Sequence, residues 1–141
     1  MSRVFDASCS PEEIVTVTAG DVRHAREFFE AHPDRHSRGE FARNVRGYAV
    51  GFAETAHSFC LLGAIGRSIN HRSAKTGVDL VPLLEATARL RGLNPKSHLD
   101  QIAARDIITN VNDTGTVKDV IDLLREIESE MRKQIDAGAG Q

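Results

Sequence analysis

Four groups of residues in this chain of 141 have side chains and spacings that could do chemistry. His57 and Cys60 stand three apart in a stretch with helical periodicity. On a helix that separation brings both to one face, where an imidazole can draw the proton from a thiol and leave a thiolate nucleophile. The competing reading is that Cys60, followed by Leu61-Leu62-Gly63-Ala64, is a small buried hydrophobe, and its apolar neighbours favour that reading. His32 and His36 have the i, i+4 separation of a metal pair, but Pro33 breaks the helix that would align their rings. No metal site is expected.

Asn110, Asn112, Asp113 and Thr114 form the densest polar cluster, and a helix beginning near Thr116 would aim free N–H groups at it. The cluster makes either a pocket for an anion or polar ligand, or a turn whose side chains cap backbone groups. The fourth group is basic and aromatic: Arg35, Arg38, Arg43 and Arg46, with Phe41 and Tyr48. Guanidinium groups grip phosphates and aromatic rings stack on bases, so the segment could bind nucleic acid. Arg, Tyr and Phe are also enriched at protein interfaces, and the interleaved Asp34, Glu40 and Glu54 weaken a phosphate-binding field. A protein partner is therefore the preferred expectation. Gly63-Ala64-Ile65-Gly66 lacks the lysine and the strand-to-helix setting of a phosphate loop, and no cofactor is expected.

Helical periodicity supplies the frame for these groups. Val22, Ala25, Phe28 and Phe29, after a capping Thr18, predict a helix over Ala19–Ala31 that Pro33 stops. Residues 34–47 read as a loop around one helical turn, and Tyr48, Val50 and Phe52 alternate with small residues as in a short extended segment near 48–52. A second helix is predicted from about Ala56 to Asn70. Its Gly63 and Gly66 each cost about 1 kcal/mol relative to alanine, which implies that something packs very close to this backbone. A third helix spans about Asp79–Arg91 and ends at Gly92.

Leu99, Ile102, Ala103 and Ile107 give the apolar face of a fourth helix, which is expected to close before the turn-forming run Asn112-Asp113-Thr114-Gly115. Thr116 with Asp119 opens a fifth, from Val117 to about Ile135. Its Val120, Leu124, Ile127 and Met131 stripe is predicted to pack against helix two. The division is then 1–17 as an N-terminal arm or short strand, 18–135 as the helical domain and 136–141 as a flexible tail. The fold class expected is mainly α, a compact single domain of about five helices.

Composition excludes several classes. With 18 basic and 20 acidic residues, a net charge of −2 and 40% hydrophobic residues, the chain is neither collagen-like nor a coiled-coil rod, and it can close a core without metal or disulfides. The longest apolar stretch, Phe59 to Ile65, is far short of the roughly 20 residues that span a bilayer, and Met1 to Ser10 lacks signal-peptide character. A cytoplasmic protein with no membrane partner is expected. Charge is uneven along the chain: nine Arg and Lys face six acids between Asp21 and Lys75, and seven acids face four bases between Asn112 and Asp136. Solvated helix faces account for such a division without a binding role.

Three stretches together resemble a small uncharacterised family of phage and bacterial proteins. His36-Ser37-Arg38-Gly39-Glu40-Phe41-Ala42-Arg43-Asn44-Val45-Arg46-Gly47 is similar to that family's Trp-x-x-Gly-x-x-Ala-Arg-Asp-x-x-Gly segment, with His36 in place of tryptophan and Asn44 in place of aspartate. Cys60-Leu61-Leu62-Gly63-Ala64-Ile65 resembles its Cys-x-x-Gly-Ala-Leu helix, and Asn112-Asp113 its Asn-Asp turn ahead of a final helix. The resemblance implies a mainly helical fold and a phage or prophage setting, and implies no activity. The functional expectation is a non-enzymatic accessory protein that binds a host or phage protein, for example as an inhibitor of a host system. The alternatives are a small enzyme built on the His57/Cys60 or Asn112/Asp113 neighbourhood, or a nucleic-acid-binding protein using the Arg35–Arg46 segment. Oligomeric state is left open.

Overall fold

Thr18 opens the first helix as its sequence requires. Its Oγ1 accepts from the Asp21 N–H at 3.2 Å while the Asp21 carboxylate accepts from the Thr18 N–H at 2.9 Å, a reciprocal capping box. The helix α1 (Ala19–Ala31) follows with the predicted bounds, and Pro33 starts a 3-10 turn, Pro33–Arg35. The structure is a computed structural model describing residues 14–50, 56–72 and 77–139. Within them lie five helices, α1, α2 (Leu61–Arg72), α3 (Val81–Leu90), α4 (His98–Thr114) and α5 (Val117–Ala139). Four short strands join them: β1 (Ile14–Thr16), β2 (Ala42–Arg43), β3 (Ser58–Phe59) and β4 (Gly77–Asp79). The protein is a compact, mainly α single domain, as its periodicity predicts.

One core holds the helices together. Phe29 and Val22 of α1, Leu61, Ile65 and Ile69 of α2, Leu83 of α3, Ile108 of α4 and Leu124 and Ile127 of α5 are all buried in it. The long amphipathic α5 packs chiefly on α1 and α3, not on α2 as its stripe was expected to do. Helix α2 instead packs on α1, and α4 packs on α3. Helix α5 is capped by Thr116 and Asp119 with the same reciprocal geometry as α1, at 3.2 and 2.9 Å. It continues through Asp136 to Ala139, beyond the predicted end near Ile135, so the expected tail is helical over those four residues.

Local signals misplace the starts of α2 and α3 and miss strand β2, where distant residues intervene. Helix α2 starts at Leu61 and not near Ala56, because residues 57–59 are drawn into a strand. His57 N–H donates to Arg43 C=O at 2.7 Å, and β3 pairs antiparallel with β2 (Ala42↔Phe59, Arg43↔Ser58). On the other side of β2, Ala49 bridges Arg43 and Val50 N–H donates to Ala42 C=O at 3.0 Å. The segment expected to be extended near 48–52 is thus paired at Ala49 and Val50, whereas Phe52 lies outside the described residues. Strand β2 itself lies within residues 34–47, where the sequence predicts a loop around one helical turn. Helix α3 starts two residues late, since Asp79 belongs to β4 and caps the helix through its carboxylate, which accepts from Val81 N–H at 2.9 Å. At its other end, Leu93 N–H to Ala88 C=O and Gly92 N–H to Arg89 C=O form a Schellman motif.

Strand β1 settles part of the N-terminal region. It pairs in parallel with β4, Val15 opposite Val78, and Val17 beyond it is buried. Residues 1–13 lie outside the described residues.

Helix α4 departs most from expectation. It runs through Asn112, Asp113 and Thr114, whose residue types predict a turn, and is capped at Gly115. Its buried positions are Ala104, Ile108 and Asn112, while Leu99 is 75% and Ile102 46% exposed. The stripe Leu99, Ile102, Ala103 and Ile107 is therefore rotated off the core.

Gly63 explains how α2 approaches β2. A Cβ placed on it would lie 1.9 Å from the Phe41 carbonyl oxygen, so only glycine admits this contact. The close packing expected from glycine in this helix is present there.

Candidate functional site

The cluster around Asn112 is a clamp, and the reason is a count of hydrogen-bonding positions. Asn112 is 3% exposed. Its Oδ1 accepts from the Leu61 N–H of α2 at 2.8 Å and lies 2.7 Å from His36 Nε2. Its Nδ2 donates to Ser37 C=O at 3.2 Å and to Asp113 Oδ1 at 2.9 Å. An asparagine amide has two donors and two acceptor lone pairs, and all four are used. The side chain ties the start of α2 and the 36–37 backbone to the last turn of α4, and it has nothing left for a ligand. Because the Asn112 oxygen already accepts from Leu61, His36 must donate from Nε2, which fixes its neutral tautomer.

Asp113 Oδ1 also accepts from Gly39 N–H at 3.1 Å, and Thr114 Oγ1 donates back to Asn110 C=O at 2.6 Å. The side chains of Asn112, Asp113 and Thr114 are spent on backbone groups, and Asn110 enters only through its backbone carbonyl. All four residues lie in a helix and not in a turn.

The basic and aromatic segment divides into struts and exposed groups. Arg43 is a strut: its guanidinium donates to Gly47 C=O at 2.8 Å and to Arg38 C=O at 3.0 Å. Arg35 is another, donating from Nε to His57 C=O and lying 5.1 Å over the Phe28 ring. Arg38 reaches Gly115 C=O at 2.6 Å. Between Arg43 and Ala49 the chain makes a tight hairpin. Asn44 Oδ1 accepts from both Arg46 N–H and Tyr48 N–H, at 2.9 and 3.1 Å, and Gly47 takes φ +88°, the left-handed region that other residues rarely adopt.

The hairpin presents Val45 at 77% and Tyr48 at 67% exposure, with Arg46 beside them and Phe41 at 52% just before β2. Arg46 has no side-chain partner among the described residues. A single ordered segment thus displays two aromatic rings, a valine and a free guanidinium.

Among the described residues Arg35, Arg38, Arg43, Arg46 and Arg67 make no ion pair, and neither do Arg23, Arg89 and Arg105, whereas Arg26, Arg91, Arg125 and Arg132 each have a glutamate or aspartate partner.

The cysteine and histidine pairs do not assemble. His57 lies in the extended lead-in to α2, where an odd separation sends side chains to opposite faces and three residues span about 10 Å. The same-face arrangement with Cys60 therefore does not form. Cys60 is buried at the N-cap of α2, its Sγ accepting from Gly63 N–H at 3.2 Å, and burial pushes its thiol pKa up, away from a thiolate. His32 caps the end of α1 with its ring against Phe28, while His36 turns inward to Phe29 and Asn112. No group of three or more metal-ligating side chains among the described residues could hold a metal ion.

A second polar network, around Asp21, was not anticipated from the sequence. Asp21 is 1% exposed, and its carboxylate accepts from Ser68 Oγ at 2.8 Å, from Arg72 at 2.9 and 2.6 Å, and from Thr18. Burial alone would raise this carboxyl, but the Arg72 guanidinium and the other donors outweigh it and hold it below its usual value. His24 Nδ1 lies 3.1 Å from Ser68 Oγ. A serine, a histidine and an aspartate so placed invite comparison with a nucleophilic triad, but the order is wrong. The single Ser68 proton goes to Asp21, so His24 donates to Ser68 and is not its base. The one sequence signal for this network was Thr18-x-x-Asp21, which foretells the cap but not the partners on α2.

No family model, curated protein or solved structure matches this chain. No helix among the described residues is long and apolar enough to cross a membrane.

Proposed function

We propose that this chain is a non-enzymatic accessory protein that binds another protein through the hairpin Arg43–Ala49 and the adjacent Phe41. The observation that carries this reading is the exposure of Phe41, Val45, Arg46 and Tyr48 within one eight-residue segment, 41–48, whose hairpin backbone is held by its own hydrogen bonds. Exposed aromatic and Arg side chains on a preorganised loop give binding energy at small entropic cost. Val45, the most exposed of the three, suits an apolar partner surface and gives nothing to a phosphate. The resemblance to a phage and bacterial family supports a host or phage protein as the partner, in the manner of an inhibitor. A cytoplasmic location fits the same reading.

Nucleic acid is the second reading, favoured by Arg35, Arg38, Arg43, Arg46 and Arg67, which make no ion pair among the described residues. Arg35 and Arg43 already spend donors on backbone carbonyls, which leaves a small cationic footprint. Tagged wild-type protein and an Arg46→Glu/Tyr48→Ala variant, both shown to unfold at the same temperature, are passed through extract of phage-infected bacteria. Under the protein reading the wild type retains a defined protein that the variant loses, with modest salt dependence. Retention of nucleic acid of any sequence, lost in moderate salt, would replace it with the second reading.

A further inference from the structure

Beside the hairpin, α2 and β4 leave an apolar cavity of about 160 Å³ walled by Phe41, Leu62, Ile69, Val78 and Leu80, with Arg105 of α4 as its one charged wall. A neighbouring cavity of about 180 Å³ shares Phe41, Leu62 and Arg105 but adds the acids Glu40 and Asp113. Arg105 is exposed and makes no hydrogen bond or ion pair among the described residues.

We propose that the apolar cavity receives one phenylalanine-sized side chain of the protein partner, and that a carboxylate adjacent to it in the partner's sequence pairs with Arg105. The proposal rests on the protein-partner reading and names the chemistry of that partner. Size argues for a single side chain. An apolar cavity of roughly 150 Å³ accommodates a benzene ring, whereas sites for whole small molecules run to about 300–1,000 Å³. Charge argues for the carboxylate and for its placement. Arg105 is the cation at the apolar cavity, while Glu40 and Asp113 on the other side repel an anion and leave the Arg105 edge as its seat. Phe41 belongs both to this wall and to the exposed patch of the hairpin, so a partner lying on the patch passes over the cavity.

The test uses isotope-labelled full-length protein and three capped hexapeptides, Ala-Ala-Phe-Asp-Ala-Ala, its Phe-Asn counterpart and its Ala-Asp counterpart, followed by amide NMR shifts. The Phe-Asp peptide is expected to shift Leu62, Val78, Leu80 and Arg105. Replacing Asp by Asn, or Arg105→Ala in the protein, should weaken binding about fivefold, the ratio given by roughly 1 kcal/mol for an accessible ion pair. The Ala-Asp peptide should not bind. A folded Val78→Phe variant, which fills the cavity, should lose the response to both the Phe-Asp and the Phe-Asn peptides. Equal binding of the Phe-Asp and Phe-Asn peptides, no shifts at those four residues, or phenylacetate matching the peptide would overturn the proposal, the last by making the occupant a small carboxylate. So would concentration-dependent dimerisation that closes the cavity, by making it a second copy. Loss of partner capture in the Arg46→Glu/Tyr48→Ala variant reports on the hairpin independently, so the two readings fail separately.

Discussion

Replacing Asn112 by alanine should destabilise the protein by about 2–5 kcal/mol. The substitution strands the Leu61 N–H, which sits on a fully buried residue, and the Ser37 carbonyl, and it removes the partner of His36. Each buried polar group left without a partner costs about 1–3 kcal/mol, and two such groups with partial relaxation give the stated range. Set against the roughly 5–15 kcal/mol total stability of a domain this size, the loss is large. Urea unfolding monitored by far-ultraviolet circular dichroism measures it as a fall in midpoint at unchanged slope. Asn112→Asp sharpens the test. It keeps an acceptor for Leu61 but loses the donor to Ser37 and sets a second carboxylate against Asp113, so it should be less stable near neutral pH than in mild acid. A change below about 1 kcal/mol for Asn112→Ala would refute the clamp and return this residue to the role of a ligand contact.

Three further outcomes follow from the same structure. Gly63→Ala should destabilise by about 1–3 kcal/mol, because the Phe41 carbonyl occupies the space of the new methyl. Intrinsic helix propensity alone predicts a gain of about 1 kcal/mol, so the sign seen in urea unfolding decides between them. Leu124→Ala, at a fully buried position on α5, should cost about 2–5 kcal/mol by leaving a cavity, and a much smaller midpoint shift would place that helix wrongly. Acid should act in two windows. Burial holds the His36 pKa below its ordinary 6.5 despite the Asn112 hydrogen bond, so its contribution is present above that pH and is lost as pH falls toward the lower folded value. Asp21 is held below 3.8, and its contribution goes only as pH falls below that value. A stability–pH profile of wild type against His36→Gln should lose the upper window alone, and an unchanged profile would contradict the assignment.

What could be read from the sequence depended on how far away the deciding partner lay. Helix α1 and the start of α5 were legible because Thr18 with Asp21, and Thr116 with Asp119, close their caps within one turn. The start of α2 was not, since residues 57–59 are held by strand partners at 42–43, and a local helical pattern carries no trace of them. Asn112-Asp113-Thr114 has strong turn chemistry, yet Asn112 spends its amide on groups 51, 75 and 76 residues away and so does not compete with its own helix. The same distance hid the Asp21 network, whose Ser68 is 47 residues off. Phe41, Arg46 and Tyr48 were recognisable as binding types from composition. That Arg35 and Arg43 are struts depended on carbonyl positions that only the folded hairpin defines.

Photo-crosslinking in cells reaches the central claim most directly, that the hairpin tip is where a protein partner sits. A benzoyl-phenylalanine placed at Tyr48 is compared with one at Lys133, an exposed position on α5. The account predicts a discrete protein adduct from position 48 in phage-infected bacteria and none from position 133. Equal adducts from both sites, or nucleic acid as the species attached at position 48, would contradict it.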